Sequence, residues 1–246
     1  MYAILAGSGA SHLADLEVIR REPANTPFGE PSCPLIFARI AGREVIFLAR
    51  HGSGHAIPPH QVNYRANIWA LNARKVTGII AVATVGGIAT DVAPGTLAVP
   101  HQLIDYTWGR KHTFFDGGKA AVTHVDFTHP YTERLRQKIL AAAASAGEPV
   151  RPRGVYATTQ GPRFETAAEI DRLERDGADM VGMTAMPEAA LARELGIEYA
   201  AIVAVVNFAA GRADSATGIQ LENIGEVLKN TMHRVRLVIE RLVQET

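Results

Sequence analysis

Thr77-Gly78-Ile79-Ile80-Ala81-Val82-Ala83-Thr84-Val85-Gly86-Gly87 is, from Ile79 on, an apolar run broken only near its end, by a hydroxyl and paired glycines. A strand that is apolar at nearly every position is covered on both faces, as at the centre of a sheet with helices on either side. Its far end, at Thr84 and Gly86-Gly87, is where ligands settle in α/β sheets. Two other segments have the same shape. Tyr2 to Ala6 runs out into Gly7-Ser8-Gly9-Ala10-Ser11-His12, and Tyr199 to Val206 runs out into Asn207-Phe208-Ala209-Ala210-Gly211. The first of these turns exposes backbone N–H groups and hydroxyls that suit an anion. It is neither a full Walker loop nor a dinucleotide fingerprint, so a plain connecting loop remains open.

Helices are expected between these strands. Val62 to Val76, Tyr131 to Ala146, the stretch from Thr166, Glu188 to Leu195 after Pro187, and Gln220 to Val243 carry apolar residues at helical spacing. Leu35 to Ile40 and Glu44 to Leu48 meet at Ala41-Gly42 as a hairpin, and Thr96 to Val99 and Gly177 to Thr184 read as short strands. Residues 13 to 33 are polar with scattered Pro and Gly, which predicts a surface loop.

At 246 residues and 47% hydrophobic content, the chain can bury one large core, so a single α/β domain spanning 1–246 is expected. Lys plus Arg and Asp plus Glu balance at 25 each, which offers no footprint for nucleic acid or an anionic membrane and favours small ligands. The lone Cys33 rules out an internal disulfide and a multi-thiolate metal site, as suits a reducing cytoplasm. The N-terminal run is too short and uncharged for a signal peptide, and no apolar run is long enough to span a bilayer. A cytoplasmic protein without a membrane partner is expected.

Two motifs carry candidate chemistry. Arg50-His51-Gly52-Ser53-Gly54-His55 follows the hairpin, and a planar guanidinium beside an imidazole at a strand end can hold phosphate. Gly161-Pro162-Arg163-Phe164-Glu165-Thr166 lies where a strand hands over to a helix. There an aromatic ring and a carboxylate can stack on a flat heterocycle and accept from its edge, or Glu165 can simply favour a helix N-terminus. The segment Thr107 to Pro130 holds His112, Asp116, His124 and His129 among aromatics, but its spacing matches no metal-ligand motif, and a loop reaching a neighbouring subunit is the better expectation.

Taken in order, Gly7-Ser8-Gly9, Arg50-His51, Thr84 with Gly86-Gly87, Gly161 to Thr166, Gly182-Met183-Thr184 with Pro187-Glu188, and Asn207 resemble the trimeric purine nucleoside phosphorylase and methylthioadenosine phosphorylase family over nearly the whole chain. That resemblance implies a twisted mixed β-sheet, partly barrel-like and surrounded by helices, in a homotrimer. It implies attack of inorganic phosphate on C1′ of a purine nucleoside, with phosphate as co-substrate and no cofactor or metal. Ser8, Arg50, His51, Thr84 and Thr184 then look like the phosphate set, with Arg50 gripping phosphate at two points. Phe164, Glu165, Asn207 and Ala209 look like the base set, Met183 and His55 face the ribose, and His124 is lent to the next subunit's site. Arg50, His51 and Asn207 are the catalytic candidates.

Departures from the subfamilies narrow the substrate. Adenine-specific relatives carry aspartates at the positions matching Asn207 and Ala209; an Asn amide both donates and accepts, which suits the O6/N7 edge of a 6-oxopurine. Glu165 accepts from the N1–H that a 6-oxopurine carries and adenine lacks. By contrast, Arg50 to His55 and Val62 to Leu71 resemble the methylthioadenosine enzymes, and Ile224 and Val227 fall near where those enzymes line the 5′ group. Both residues can equally be core on a helix stripe. A buried hydroxyl left without a partner costs on the order of 1–3 kcal/mol, so an apolar pocket selects methylthio. The expected nucleoside is 5′-methylthioinosine. An inosine/guanosine enzyme, a methylthioadenosine enzyme and a nucleoside-binding protein without catalysis are the alternatives.

Overall fold

The computed structural model describes residues 1–9, 17–117 and 121–245. Ala10, Ser11 and His12 of the first Gly/Ser turn lie outside the described residues. The elements run β1 (Tyr2–Ala6), β2 (Glu17–Glu22), β3 (Leu35–Ile40), β4 (Arg43–Ala49), α1 (Tyr64–Ala73), β5 (Gly78–Gly87), β6 (Leu97–Ala98), β7 (Gln102–Asp105), α2 (Glu133–Ser145), β8 (Val150–Arg151), β9 (Val155–Thr158), α3 (Ala167–Arg175), β10 (Met180–Gly182), α4 (Ala185–Glu194), β11 (Glu198–Phe208) and α5 (Leu221–Gln244). Among the described residues no helix is long and apolar enough to cross a membrane.

The strands form one mixed sheet in the order β2-β3-β4-β1-β5-β10-β9-β7, with a branch from β5 through β11 and β6 to β8. β5 is the hub. It pairs in parallel with β1 along its first half and with β11 along its whole length, and it meets β10 antiparallel at Gly86 and Gly87. Among the described residues the ladder branches there and does not close into a ring.

Side chains alternate across a strand, and β5 buries both faces. Ile79 and Ala81 join a core with Leu5, Leu48, Ile68 and Leu71 of α1 and Leu191 of α4. Ile80 and Val82 join a second core with Leu135 and Ile139 of α2 and Met232, Val235 and Ile239 of α5. Thr84 alone in this strand is partly exposed. The exception to the apolar run is therefore also the residue that faces open space.

Two local features aim the site. The register of β11 against β5 slips between Val205 and Asn207, a bulge that re-aims the strand end carrying Asn207. At the start of α3, Thr166 accepts from the Glu169 N–H while the Glu169 carboxylate accepts from the Thr166 N–H. This capping box starts the helix just after Glu165 and holds the turn that presents it.

The loop expected over residues 13 to 33 is corrected in part, because Glu17–Glu22 is a strand antiparallel to β3. Its sequence, Glu-Val-Ile-Arg-Arg-Glu, is almost wholly exposed. An edge strand needs no apolar face, and this one is tied by charge, with Arg39 to Glu17 at 2.7 Å and Arg20 to Glu44 at 3.3 Å. β7 was likewise not expected. The hairpin turn at Ala41 and Gly42 has φ of 49° and 80°, the left-handed pair that matches strand twist.

Candidate active site

A cavity of about 420 Å³ opens where the ends of β1, β4, β5, β10 and β11 meet. Ser8, after β1; His51, after β4; Thr84, on β5; and Thr184, after β10, line it. Three hydroxyls and an imidazole converging from four strand ends suit an oxyanion. His51 is fixed by its Nδ1, 2.8 Å from the Ile57 carbonyl. That nitrogen donates, so Nε2 carries the lone pair; it lies 3.9 Å from where a Cβ on Gly7 would sit. Burial, and then the neighbouring Arg50 charge, push the His51 pKa down to about 4. The ring is neutral at ordinary pH.

Arg50 does not line the cavity. It lies beneath the Gly7 turn, where a Cβ on Gly7 would come within 2.8 Å of Nη1, so glycine is required for the close approach. Its Nε and Nη2 pair with Glu188, the latter at 2.9 Å, while Nη2 also donates to Leu5 O and Nη1 to Val82 O. The two-point grip on phosphate expected of Arg50 is corrected on this geometry. The forked edge is spent on Glu188, and one Nη1 hydrogen is left over from the five guanidinium donors.

Phe164, Glu165, Asn207 and Ala209 line the same cavity. Phe164 is 42% exposed, leaving a ring face open to stack. Glu165 Oε1 accepts from the Thr159 hydroxyl at 2.6 Å. Burial raises the Glu165 pKa, and that hydrogen bond opposes the rise. Asn207 gives one N–H to the Phe208 carbonyl at 2.7 Å, which leaves the second N–H and Oδ1 for a ligand. Ala209 is buried against the backbone of Gly86.

Met183 and His55 also line it. A Cβ on Gly161, itself at φ 60°, would meet Met183 Sδ at 2.5 Å, so this glycine lets the Met183 side chain pass. The His55 ring packs 4.5 Å from that of His51. The apolar lining includes Ile57, Ile219, Ile224 and Leu228. Val227 does not line the cavity; α5 turns Leu228, four residues after Ile224, into the position expected of it. His124 is exposed and away from the lining of this cavity.

Sequence reasoning assigned no role to several residues that build the site. Glu188 follows Pro187 in the sequence, where nothing local gives it a partner. Thr159 ends the strand stretch before Glu165, and Ile57 fixes His51. Arg110 is buried and donates to the carbonyls of Met183, Met186, Thr159 and Gln160 at 2.6–3.2 Å, joining the chain ends after β9 and β10. Nothing local in Gly109-Arg110-Lys111 marks it, since its acceptors are backbone atoms distant in sequence.

An α/β sheet whose strand ends gather an oxyanion subsite and a flat-ring subsite in one cavity has the form of a nucleoside-processing enzyme. The family model described as the phosphorylase superfamily matches residues 1–244, and the chain belongs to that superfamily. It is 52% identical over 243 residues to a probable S-methyl-5′-thioinosine phosphorylase of Pseudomonas syringae pv. tomato, covering 99% of this chain and 98% of the relative. It is 47% identical over 214 residues to a 6-oxopurine nucleoside phosphorylase of Pyrococcus furiosus, covering 85% and 80%. Among solved structures, methylthioadenosine phosphorylase from Schistosoma mansoni in complex with adenine superposes with a TM-score of 0.93 at 32% identity, covering 99% of this chain and 91% of that one.

Proposed function

We propose that this chain catalyses phosphorolysis of S-methyl-5′-thioinosine, giving hypoxanthine and 5-methylthioribose 1-phosphate. The observation that carries the proposal is one cavity lined by Glu165, Asn207 and Ala209 together with Ile219, Ile224 and Leu228. Asn207 and Ala209 stand where adenine-specific relatives carry aspartates, and Glu165 accepts from N1–H. The apolar wall favours a methylthio group. The probable S-methyl-5′-thioinosine phosphorylase relative, at 52% identity, supports the same assignment.

A phosphate oxygen forms the bond to C1′ as the C1′–N9 bond breaks, and the electron pair of that bond leaves with the purine. The proton given up by the hydrogen phosphate ends on the base, giving free hypoxanthine. Positive charge grows on the sugar and negative charge on the base. Phosphate bound at Ser8, Thr84, Thr184 and His51 stabilises the cation and is already in place to attack. Arg50, beneath the Gly7 turn, acts on the phosphate through its charge and not as a lining donor. A neutral His51 presents Nε2 as an acceptor, so it pairs with a protonated phosphate oxygen or takes up a proton beside the dianion. The spare Asn207 N–H donates to N7, and that bond strengthens as charge develops on the leaving base. Phe164 stacks on the base and Met183 packs against the ribose.

Inorganic phosphate is the co-substrate, and the chemistry asks for no metal or organic cofactor. The enzyme works in the cytoplasm as a homotrimer, with His124 of each subunit at a neighbour's cavity. One observation favours a second reading: His55 at the cavity wall can donate to a 5′-hydroxyl, which suits inosine or guanosine. Phosphate dependence is the first test. Incubated with methylthioinosine, the protein is expected to release hypoxanthine and a sugar phosphate only when phosphate is present. Hypoxanthine release without phosphate would contradict the mechanism.

A further inference from the structure

Glu165 is a wall between two cavities. It lines the active cavity on one side and, on the other, a second of about 280 Å³ that Thr159 also lines. A carboxyl group in this place has two forms with opposite preferences. Ionised, it only accepts, and pairs with the N1–H of a 6-oxopurine; neutral, it offers an O–H to the bare N1 of a 6-aminopurine. Burial pushes Glu165 toward the neutral form.

Of the groups around Glu165, the Thr159 hydroxyl most opposes that push. Arg163 and Glu169 hold each other at 2.7 and 2.8 Å, and their effects on Glu165 run in opposite directions. Arg172 and Tyr106 face it from the second cavity, while His51 and His55 face the active cavity. Arg110 is turned to carbonyls, among them that of Thr159 at 3.2 Å. Thr159 is anchored, since its N–H donates to Gly182 O at 2.8 Å.

We propose that Thr159 is a specificity-determining positioning residue: its hydroxyl, 2.6 Å from Glu165 Oε1, holds that carboxylate as an acceptor and so makes the cavity choose 6-oxopurines over 6-aminopurines. This rests on the assignment of Glu165 to the base. A hydrogen bond favours the charged acceptor over the neutral one, so losing it raises the pKa further.

The test is kcat/KM for methylthioinosine and methylthioadenosine across the acid and neutral range, in wild type, Thr159→Val, Thr159→Ala, Thr159→Ser and Glu165→Gln. The oxo-to-amino preference of the wild type is expected to fall as pH drops and Glu165 protonates. In Thr159→Val and Thr159→Ala that fall is expected to move up by about one pH unit, the worth of one hydrogen bond to a charge. Thr159→Ser, which keeps the hydroxyl, is expected to retain the wild-type position. A fall at the wild-type pH in both the Val and Ala variants overturns the proposal, as does a shifted fall in the Ser variant. Loss of preference in Glu165→Gln with no shift in the Val and Ala variants overturns Thr159's role alone. An unchanged preference in Glu165→Gln overturns the base contact as well.

Discussion

Arg50 and Glu188 form an ion pair sealed from water beneath the Gly7-Ser8 turn, with side chains 1% and 0% exposed. Arg50 alone engages both carboxylate oxygens, and Tyr199 donates its hydroxyl to Oε2 at 3.0 Å. Arg50 follows strand β4 and Glu188 lies in helix α4, so the pair joins those two elements. It also places a guanidinium under the cavity while cancelling most of its charge.

Removing one member of such a pair strands the other. Glu188→Ala is expected to lower the unfolding free energy by about 3–5 kcal/mol, read from the shift of the urea midpoint at constant slope. A wild-type midpoint would show that the pair contributes no stability.

His51 gives a pH signature. Its folded pKa, about 4, lies below the unfolded value near 6.5, so between them the unfolded chain binds the extra proton. Stability contributed by the neutral ring is complete above the unfolded value and is lost as pH falls toward 4, at up to about 1.4 kcal/mol per pH unit. His51→Asn is expected to flatten that part of the stability-pH curve relative to wild type. Parallel curves would mean that His51 titrates normally in the folded protein.

The base end is tested by exchange. Asn207→Asp with Ala209→Asp is expected to raise the methylthioadenosine-to-methylthioinosine ratio of kcat/KM by about tenfold or more, because a carboxyl group suits the N7 and 6-amino edge. An unmoved ratio would count against the assignment of Asn207 to that edge.

At the apolar wall, Leu228→Asn places an amide beside the 5′ group. The preference for methylthioinosine over inosine is expected to drop about tenfold, and a ratio within one preparation is insensitive to any loss of folded protein. The same ratio in Val227→Asn is expected to stay near wild type, since Val227 does not line the cavity.

How much of this was legible in the sequence depended on whether a signal was local. β1, β5 and β11 were readable because a strand buried on both faces must be apolar along its length. The Gly161 to Thr166 turn was readable because Pro, Gly and a capping Thr punctuate the chain. β2 was missed because an edge strand with charged cross-strand partners carries no apolar alternation. The Arg50–Glu188 pair spans 138 residues, and no spacing rule predicts it. Val227 in place of Leu228 was an error of one residue, about 100° on a helix, made because α5 begins only at Leu221 after a loop that hides the register.

The central claim, a 6-oxopurine base end joined to an apolar 5′ wall, is tested most directly by competition. Methylthioinosine, methylthioadenosine, inosine and guanosine are mixed at equal, subsaturating concentration with excess phosphate, and their disappearance is followed by chromatography. Under these conditions each is consumed in proportion to its kcat/KM. The account predicts that methylthioinosine disappears first. Faster loss of methylthioadenosine would contradict the roles of Asn207 and Glu165, and faster loss of inosine or guanosine would contradict the apolar wall of Ile219, Ile224 and Leu228.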